Sequence, residues 1–439
     1  MGRKRRRREL HVAMNGDLVG TLTRETQGGL RLVYAPEWLG SALATPISLS
    51  LPLSTEPHTG PAVASYFDNL LPDNETIRRR MQTTLRTEST DPFDLLSAAG
   101  ADCVGALQLF ASPEMPDVRA LRSSAVDAAR IAAILRGYAT QALGMTPDED
   151  DFRISIAGAQ EKTAFLWRDD AWHRPEGATP TTHVFKLPVG PFGGGSPIDL
   201  GDSVENEWLC LIVAGAFGLP VPRAEIASFE DAKVLIVERF DRQWASDRSW
   251  IIRLPQEDVC QALGVPPALK YETDGGPGIE AIMELLLQHS SEPMGDRRTF
   301  FSACVLSWLL AAPDAHAKNY SVSLQPQGRV RLTPLYDLLS AHPLVARKQL
   351  APQKLKMAMA VRGKNRHDRW EQIQRRHWLE TAKRCRFPER EAVAVLDSMA
   401  ERIDDVIART HEQIPAGFPD DVATPVLDGL AGMRARLTK

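Results

Sequence analysis

An aspartate and an asparagine five positions apart are the residues of this sequence best suited to chemistry. Asp314 and Asn319 bound the run Asp-Ala-His-Ala-Lys-Asn, which follows a predicted apolar helix at 301–312 that would anchor it rigidly. A carboxylate in such a loop accepts the proton of a hydroxyl group, and the amide oxygen holds Mg²⁺ beside phosphates. Because the same spacing also occurs by chance in polar turns, other residues must decide between a turn and a phosphoryl-transfer loop.

A second acid, Asp337, lies 18 positions after Asn319 at the end of the strand-like run 332–337. The interval is long enough for a hairpin of two strands. Phosphotransferases of the kinase type place a metal-binding Asp after the loop that carries the base and the Asn. Mg²⁺ needs few protein ligands when phosphate oxygens are present, so Asn319 and Asp337 are predicted to bind it.

A lysine stands in a predicted strand upstream of these residues. Lys186 lies between apolar neighbours in the run 183–187, where a cation is costly without an anionic partner. ATP phosphates would provide one partner, and a carboxylate of the predicted helix 202–217 would provide another. Glu205 and Glu207 both remain open for this role. The alternative is an edge-strand lysine whose stem packs while its ammonium group reaches water.

Two further segments lie in the order that ATP-dependent phosphate transfer requires. The run 155–162 has small residues that let main-chain N–H groups approach phosphate oxygens, although a plain β-turn is the alternative. Its candidate phosphate-binding residues are Ala157, Gly158, Ala159, Gln160, Glu161 and Lys162. After the predicted strand 234–237, Glu238, Arg239 and Phe240 are placed to contact adenine, with a surface turn as the alternative.

The composition predicts a soluble protein of two to three domains. The chain has 439 residues, 43% of them hydrophobic, and a net charge of −4, which argues against a surface that binds nucleic acid throughout. Its five cysteines form no Cys-x-x-Cys pair, so neither a zinc site nor a redox dithiol is expected, and they fit a reducing cytoplasm. The apolar stretches are too short to span a membrane, and no secretory signal is expected.

The predicted domains are a basic disordered tail at 1–8, an N-terminal subdomain at 9–115, an ATP-binding part at 116–240 and a helical subdomain at 241–439. Asn15 and Gly16 mark a hairpin turn between two predicted strands. The arginines of the tail are read as solvated, with a nucleic-acid arm as the alternative.

Several longer strings resemble the HipA family of toxin kinases from bacterial toxin–antitoxin pairs. The resemblance implies an α+β, protein-kinase-like two-lobed fold with a β-rich N-terminal subdomain and an all-helical C-terminal subdomain. The strings lie at 66–73, 102–108, 154–164, 181–187, 237–242, 254–258, 271–278, 314–319 and 332–337.

The resemblance also implies roles at matching positions, with ATP and Mg²⁺ as cofactors. Asp314 is then the catalytic base, Lys186 contacts the ATP phosphates, and Asn319 and Asp337 hold Mg²⁺. Ser155 is the autophosphorylated residue, whose modification inactivates such kinases. The remaining implied contacts are Glu238, Arg239 and Phe240 with adenine, and His316, Lys318 and Tyr336 with the nucleotide.

The family's usual partner is a small helix-turn-helix antitoxin, HipB-like, that binds operator DNA, and its best-known substrate is glutamyl-tRNA synthetase. Lys383, Arg384 and Arg386 form a basic patch within 375–386, the segment of the predicted helical region that is densest in basic residues. They are candidate DNA contacts, with a solvated helix face as the alternative. Two other functions stay open: a non-catalytic corepressor that acts through the antitoxin, and a small-molecule kinase.

Overall fold

The structure is a computed structural model that describes residues 8–26, 28–140, 161–192 and 198–439. The strands in chain order are β1 Glu9–Met14, β2 Asp17–Arg24, β3 Leu30–Tyr34, β4 His58–Thr59, β5 Leu107–Phe110, β6 Ser123–Ala125, β7 Lys162–Arg168, β8 Ala171–Pro175, β9 His183–Lys186, β10 Gly190–Phe192, β11 Ile198–Leu200, β12 Ala224–Phe229, β13 Ala232–Glu238, β14 Arg242–Trp244, β15 Ile251–Arg253, β16 Gln256–Asp258, β17 Ser321–Leu324, β18 Val330–Leu332, β19 Lys356–Arg362 and β20 Arg366–Arg369.

The helices are α1 Pro36–Leu39, α2 Pro61–Asn69, α3 Glu75–Leu85, α4 Pro92–Ala99, α5 Ala128–Thr140, α6 Ser203–Ala216, α7 Val259–Ala262, α8 Ile279–His289, α9 Pro293–Leu309, α10 His342–Ala346, α11 Arg375–Arg384, α12 Glu389–His411 and α13 Asp420–Thr438. No helix in these described ranges combines the length and apolar character needed to cross a bilayer.

The chain forms two compact units that share its length in alternating segments. The first unit comprises Met1–Phe185, Arg239–Ala268 and Ser323–Arg329, and the second comprises Lys186–Glu238, Leu269–Val322 and Val330–Lys439. The predicted subdomain limits at 115 and 240 stay a prediction.

The first unit begins with an antiparallel sheet in the order β4-β3-β2-β1-β5. The predicted hairpin is confirmed, since β1 pairs with β2 and both turn residues have positive φ, 51° at Asn15 and 90° at Gly16. Two such residues in sequence are the signature of the tight turn that matches strand twist. Helices α2 and α4 pack their apolar side chains, including Tyr66, Phe67 and Phe93, into the same core. Farther along, β7, β8 and β6 form a second antiparallel array.

The second unit is built around a helix that is buried on nearly every side. Helix α9 begins with Pro293 at a position where a missing N–H costs nothing, and it buries Phe300, Phe301, Val305 and Trp308. Every residue from Phe300 to Leu309 is buried, so this second half of the helix lies inside the protein. It therefore provides a rigid support for the loop that follows, as the sequence predicted.

Helix α6 and the strand β13 also lie where the sequence predicted them. Ser203–Ala216 buries most of its residues, and the run predicted at 234–237 is the middle of β13, which pairs with β12 in an antiparallel hairpin. The lysine strand predicted at 183–187 is β9.

Two expectations about strands need correction. The subdomain predicted to be all-helical is mainly helical but also contains short strands, among them β19, whose Lys-Met-Ala-Met-Ala run consists of good helix formers that tertiary contacts hold in an extended conformation. The run 332–337 is not a strand up to Asp337, because β18 ends at Leu332. Pro334 cannot donate to a ladder, and Leu335 N–H donates instead to the Pro220 carbonyl, at 2.8 Å.

Candidate active site

Three side chains of the second unit form what we call the lysine cluster: Lys186, Glu207 and Asp337. The Lys186 ammonium lies 2.5 Å from Glu207 Oε1 and is also hydrogen-bonded to Asp337 Oδ1. The side chains of Lys186 and Glu207 are only 7% and 2% exposed, whereas Asp337 is 27% exposed. The cluster is thus closed on the side of Glu207 and more open on the side of Asp337.

Helix α6 settles which glutamate pairs with the lysine. Glu207 faces Lys186, while Glu205 pairs with Lys233 of β13. Residues two apart on a helix point about 200° from each other, so the two acids serve different cations. Asn206 fixes the helix to the segment after Asp337, because its Nδ2 donates to the Ser340 carbonyl and its Oδ1 accepts from Ser340 N–H, both at 2.8 Å.

Two carboxylates outweigh the cost of burying the ammonium group. Burial lowers the pKa of Lys186, but Asp337 and then Glu207 raise it above its ordinary value, so the side chain is a cation at neutral pH. Asp337 adopts a left-handed conformation, φ 55°, and its N–H donates to Glu207 Oε1 at 3.2 Å. That conformation is uncommon for a residue with a side chain, and the contacts on both sides of Asp337 hold it.

The Asp314 loop leaves α9 through a helix cap. Ala311 takes a left-handed conformation, φ 50°, and Ala312 N–H donates to the Ser307 carbonyl at 2.8 Å. The Asp314 carbonyl then accepts from Asn319 Nδ2 and from His316 N–H, both at 2.8 Å. These bonds close the five-residue interval into a ring and leave the Asp314 carboxylate 55% exposed, as a proton acceptor for an incoming hydroxyl must be.

His316 and Tyr336 connect this loop with the lysine cluster. Burial lowers the pKa of His316, against the opposing effect of Asp314 and a smaller one of Asp337, so the imidazole is neutral at neutral pH. Tyr336, next to Asp337, donates to the Lys318 carbonyl at 2.9 Å, and its oxygen lies 2.5 Å from Ser321 Oγ. The structure therefore brings Asp314, Asn319 and Asp337 into one region of the second unit.

The oxygen ligands present suit a hard cation that takes the rest of its ligands from phosphate and water. Asn319 uses its amide nitrogen on the loop, which directs Oδ1 away from Asp314, and Asp337 adds an accessible carboxylate. No cluster of three or more His, Cys, Asp or Glu in the described part of the chain could hold a metal alone. Such a set fits Mg²⁺ bound together with a nucleotide rather than a resident structural metal.

Comparison with known proteins matches two successive parts of the chain, whose limits differ from those of the two compact units. Residues 10–110 match the family described as HipA N-terminal domain, and residues 154–407, more than half of the chain, match the family described as HipA-like C-terminal domain. The chain belongs to the HipA family. The protein Y4mE of Sinorhizobium fredii is 34% identical to it over 358 residues, which cover 81% of each chain.

A protein sequence and a solved structure from Shewanella oneidensis are also similar to this chain. The serine/threonine-protein kinase toxin HipA of that organism is 27% identical over 344 residues, which cover 76% of this chain and 74% of the toxin. The solved complex of Shewanella HipA, HipB and operator DNA contains a chain that superposes with a TM-score of 0.80 and 22% identity, covering 97% of both chains. The predicted family, enzyme class and α+β kinase-like fold are confirmed.

The residues predicted to contact adenine lie where the chain of this HipA-family protein passes from the second unit to the first. Glu238 is exposed at the end of β13, and Phe240 is partly buried. The Arg239 guanidinium is buried and bonded to Asp241 and Thr181. Its side chain is therefore engaged elsewhere, and a contact of Arg239 with adenine would have to come from its main chain.

The predicted phosphate loop and its neighbourhood are described only in part. Ser155, Ala157, Gly158, Ala159 and Gln160 lie outside the described residues, as does the basic tail up to Arg7. Glu161 is ion-paired with Arg80 of α3 at 2.5 Å, and Lys162 begins β7.

The basic patch lies at the end of α11 and just beyond it. Lys383 and Arg384 are exposed, but Arg384 lies 3.6 Å from Glu380, and Arg386 forms an ion pair with Glu284. The patch is therefore less positive than its sequence indicates.

Tyr271 belongs to this site, although no role was predicted for it from the sequence. The Tyr271 hydroxyl donates to Asp314 Oδ1, and its ring packs edge-on against His316 at 4.9 Å. The only signal was its place at the start of the family-like string 271–278.

Proposed function

We propose that this protein is a serine/threonine protein kinase that transfers phosphate from Mg-ATP to a protein and serves as the toxin of a toxin–antitoxin pair. One observation carries the proposal. The lysine cluster and the Asp314 loop, which lie far apart in sequence, meet in one region of the second unit.

Each charged group has a place in the proposed transfer. Asp314 accepts the proton of the acceptor hydroxyl, and Lys186 neutralises phosphate charge. Asn319 and Asp337 would hold Mg²⁺, which shields the charge that develops on the transferred group. Such reactions depend on positioning and electrostatic stabilisation more than on covalent chemistry by the protein, which is why a rigid loop and a pre-formed cluster suit them.

We also propose that Ser155 is an autophosphorylation site that switches the kinase off. Phosphorylation would add about −1.5 to −2 charges at neutral pH near a site that binds a triphosphate, and the repulsion would weaken nucleotide binding. Wild type incubated with Mg-ATP should gain one phosphate and lose ATP affinity, while Ser155→Ala should not gain it. Wild type that gains the phosphate at Ser155 and still binds ATP as tightly would contradict this regulation.

The proposed partners follow from the relatives. The Shewanella complex joins HipA to HipB and operator DNA, so a HipB-like antitoxin and its operator are the partners proposed here, in the cytoplasm. Lys383, Arg384 and Arg386 are proposed phosphate contacts. Alanine at all three positions should make the salt dependence of DNA binding by the antitoxin complex shallower, by about one unit of slope per lost contact. An unchanged slope would argue for a solvated helix face.

Labelling in a bacterial lysate tests the kinase activity itself. The full-length protein and Asp314→Asn are incubated with γ-labelled ATP and Mg²⁺, and the labelled proteins are identified by mass spectrometry, with glutamyl-tRNA synthetase as the first candidate. Wild type should phosphorylate serine or threonine in a protein, and Asp314→Asn should do so about 10² to 10⁴ times more slowly. Label found only on small molecules would favour a small-molecule kinase. Equal, negligible labelling by both proteins would favour a non-catalytic corepressor.

A further inference from the structure

Tyr271 makes a contact that the roles proposed above do not use. Its hydroxyl donates a hydrogen bond to Oδ1 of Asp314, the same oxygen that lies 3.9 Å from His316 Nε2. The histidine is too distant for a hydrogen bond, so the tyrosine is the group that engages this oxygen directly. A carboxylate has two oxygens, and a base needs only one of them to accept a proton.

The segment that carries Tyr271 is tied to the Asp314 loop. The Lys270 carbonyl accepts from Ala317 N–H at 3.4 Å, and the Tyr271 ring packs against His316. The Tyr271 carbonyl accepts from Gly276 N–H at 3.0 Å. Only glycine fits at 276, because a Cβ there would lie 1.8 Å from the Leu269 carbonyl oxygen.

Glu272, the next residue, anchors the same segment to β19. Its Oε2 accepts from Ala360 N–H at 2.7 Å, and its Oε1 lies 3.1 Å from Arg362 and 3.4 Å from Arg366. A Cβ on Gly278 would lie 2.6 Å from the Glu272 carboxyl carbon, so the turn closes tightly over this anchor. Tyr271 is therefore attached to a braced turn, not to a free loop.

From this geometry we infer that Tyr271 is a positioning residue that fixes the rotation of the Asp314 carboxylate, so that Oδ1 is held and Oδ2 is presented to the acceptor hydroxyl. The inference rests on the proposed function, because it assigns a role toward the base of that reaction. A side chain that is 55% exposed otherwise samples several rotations, only some of which meet an incoming hydroxyl. Removing the phenol oxygen should slow transfer without changing nucleotide binding.

The test compares Tyr271→Phe with wild type, Asp314→Asn and Tyr320→Phe in the full-length protein. Tyr320→Phe is the matched control, because it removes a buried phenol oxygen just after the same loop, from a residue that does not contact Asp314. The probe is transfer of γ-labelled phosphate to the protein fraction of a heat-treated bacterial lysate, measured over a range of Mg-ATP concentrations. Thermal unfolding of each variant is followed in parallel.

Tyr271→Phe should lower kcat about tenfold, as the loss of one hydrogen bond to a charged group does, while KM for ATP and the unfolding midpoint stay at the wild-type values. Tyr320→Phe should keep the wild-type kcat. An unchanged kcat in Tyr271→Phe overturns the inference, and so does a faster variant, which would mean that the hydroxyl blocks the base. Wild type no more active than Asp314→Asn overturns the proposed function and this inference with it, whereas an active wild type beside an unaffected Tyr271→Phe overturns the inference alone.

Discussion

Two clusters of buried charged side chains in this protein contain similar residue types but differ in their exposure to solvent. The first unit contains what we call the arginine cluster: Asp102, Arg239, Asp241, Arg242 and Arg253. Its ion pairs include Arg239 with Asp241 at 2.6 Å and Arg242 with Asp102 at 3.0 Å, and each of the five side chains is at most 4% exposed. The lysine cluster of the second unit has fewer members, and one of them, Asp337, is 27% exposed.

The two clusters also differ in the sign and the location of their surplus charge. The arginine cluster has three cations and two anions, and several of its remaining N–H groups donate to the main-chain carbonyls of Cys103, Gly105 and Ala178. Burial and the neighbouring Arg239 lower the pKa of Arg242 to about 10, with Asp241 and Asp102 opposing. The lysine cluster has two anions and one cation, and its surplus negative charge lies at the accessible end. The two clusters therefore differ in where the surplus charge lies, which is in the interior for the arginine cluster and at an accessible edge for the lysine cluster.

The largest effect is expected from opening the arginine cluster. Asp102→Asn removes the carboxylate shared by Arg242 and Arg253, so buried guanidinium groups lose a counter-charge. The free energy of unfolding should fall by about 3–5 kcal/mol, the range for a buried pair that loses one partner. Chemical denaturation of the full chain measures it, with the exposed Asp17→Asn as control. A loss no larger than that of the control would show that the cluster is not a structural element.

Glu257 is a buried carboxylate that pairs with no cation in the described part of the chain, so its effect on stability should depend on pH. Glu257 is fully buried in the first unit and accepts from Leu49 N–H at 2.8 Å. Burial raises its pKa from 4.5 to about 8, against the hydrogen bonds from Ser48 and Leu49. Because the folded state favours the protonated form, the stability from this group is complete below pH 4.5 and is lost as the pH rises through about 8.

Glu257→Gln should remove this pH dependence. The variant should be more stable than wild type by about 1–3 kcal/mol at pH 8 and by little at pH 4, since the amide carries no proton to lose. Denaturation at a series of pH values is the measurement, and the exposed Glu56→Gln is the control. A difference between variant and wild type that does not grow with pH would contradict the raised pKa.

The smallest effect on stability is expected at the open edge of the lysine cluster. Asp337→Asn keeps the shape of the side chain and leaves Lys186 paired with Glu207, so unfolding should change by no more than about 1 kcal/mol. The same denaturation experiment as for Asp102→Asn allows a direct comparison. A loss as large as that of Asp102→Asn would mean that both clusters are structural.

The sequence predicted those parts of the fold and of the site whose signal is local. The Asn-Gly turn, the strand around Lys186 and a rigid helix before Asp314 each depend on a few neighbouring residues, and all three are present. The partner of Lys186 could not be decided, because the rotation of α6 is set by packing of the whole helix. The backbone at Asp337 was missed for a similar reason, since its left-handed conformation depends on the bond of its N–H to Glu207 and on the attachment of the following segment, through Ser340, to Asn206.

The contact of Tyr271 with Asp314 joins residues 43 positions apart through a turn braced by Glu272. Neither residue type nor spacing predicts that meeting. The strand β19 shows the opposite case, a local signal that misleads, because its methionines and alanines favour a helix in isolation.

Titration calorimetry with ATP and Mg²⁺ measures whether the lysine cluster binds the phosphates of Mg-ATP, as we propose. Lys233 is a matched control. It pairs with Glu205, which lies on the same helix as Glu207, but the Lys233 side chain is 39% exposed. Lys186→Met and Asp337→Asn should each weaken binding of Mg-ATP by about tenfold or more, corresponding to about 1.4 kcal/mol, while Lys233→Met should bind as wild type does. Wild-type affinity in both Lys186→Met and Asp337→Asn would show that the lysine cluster does not bind the nucleotide.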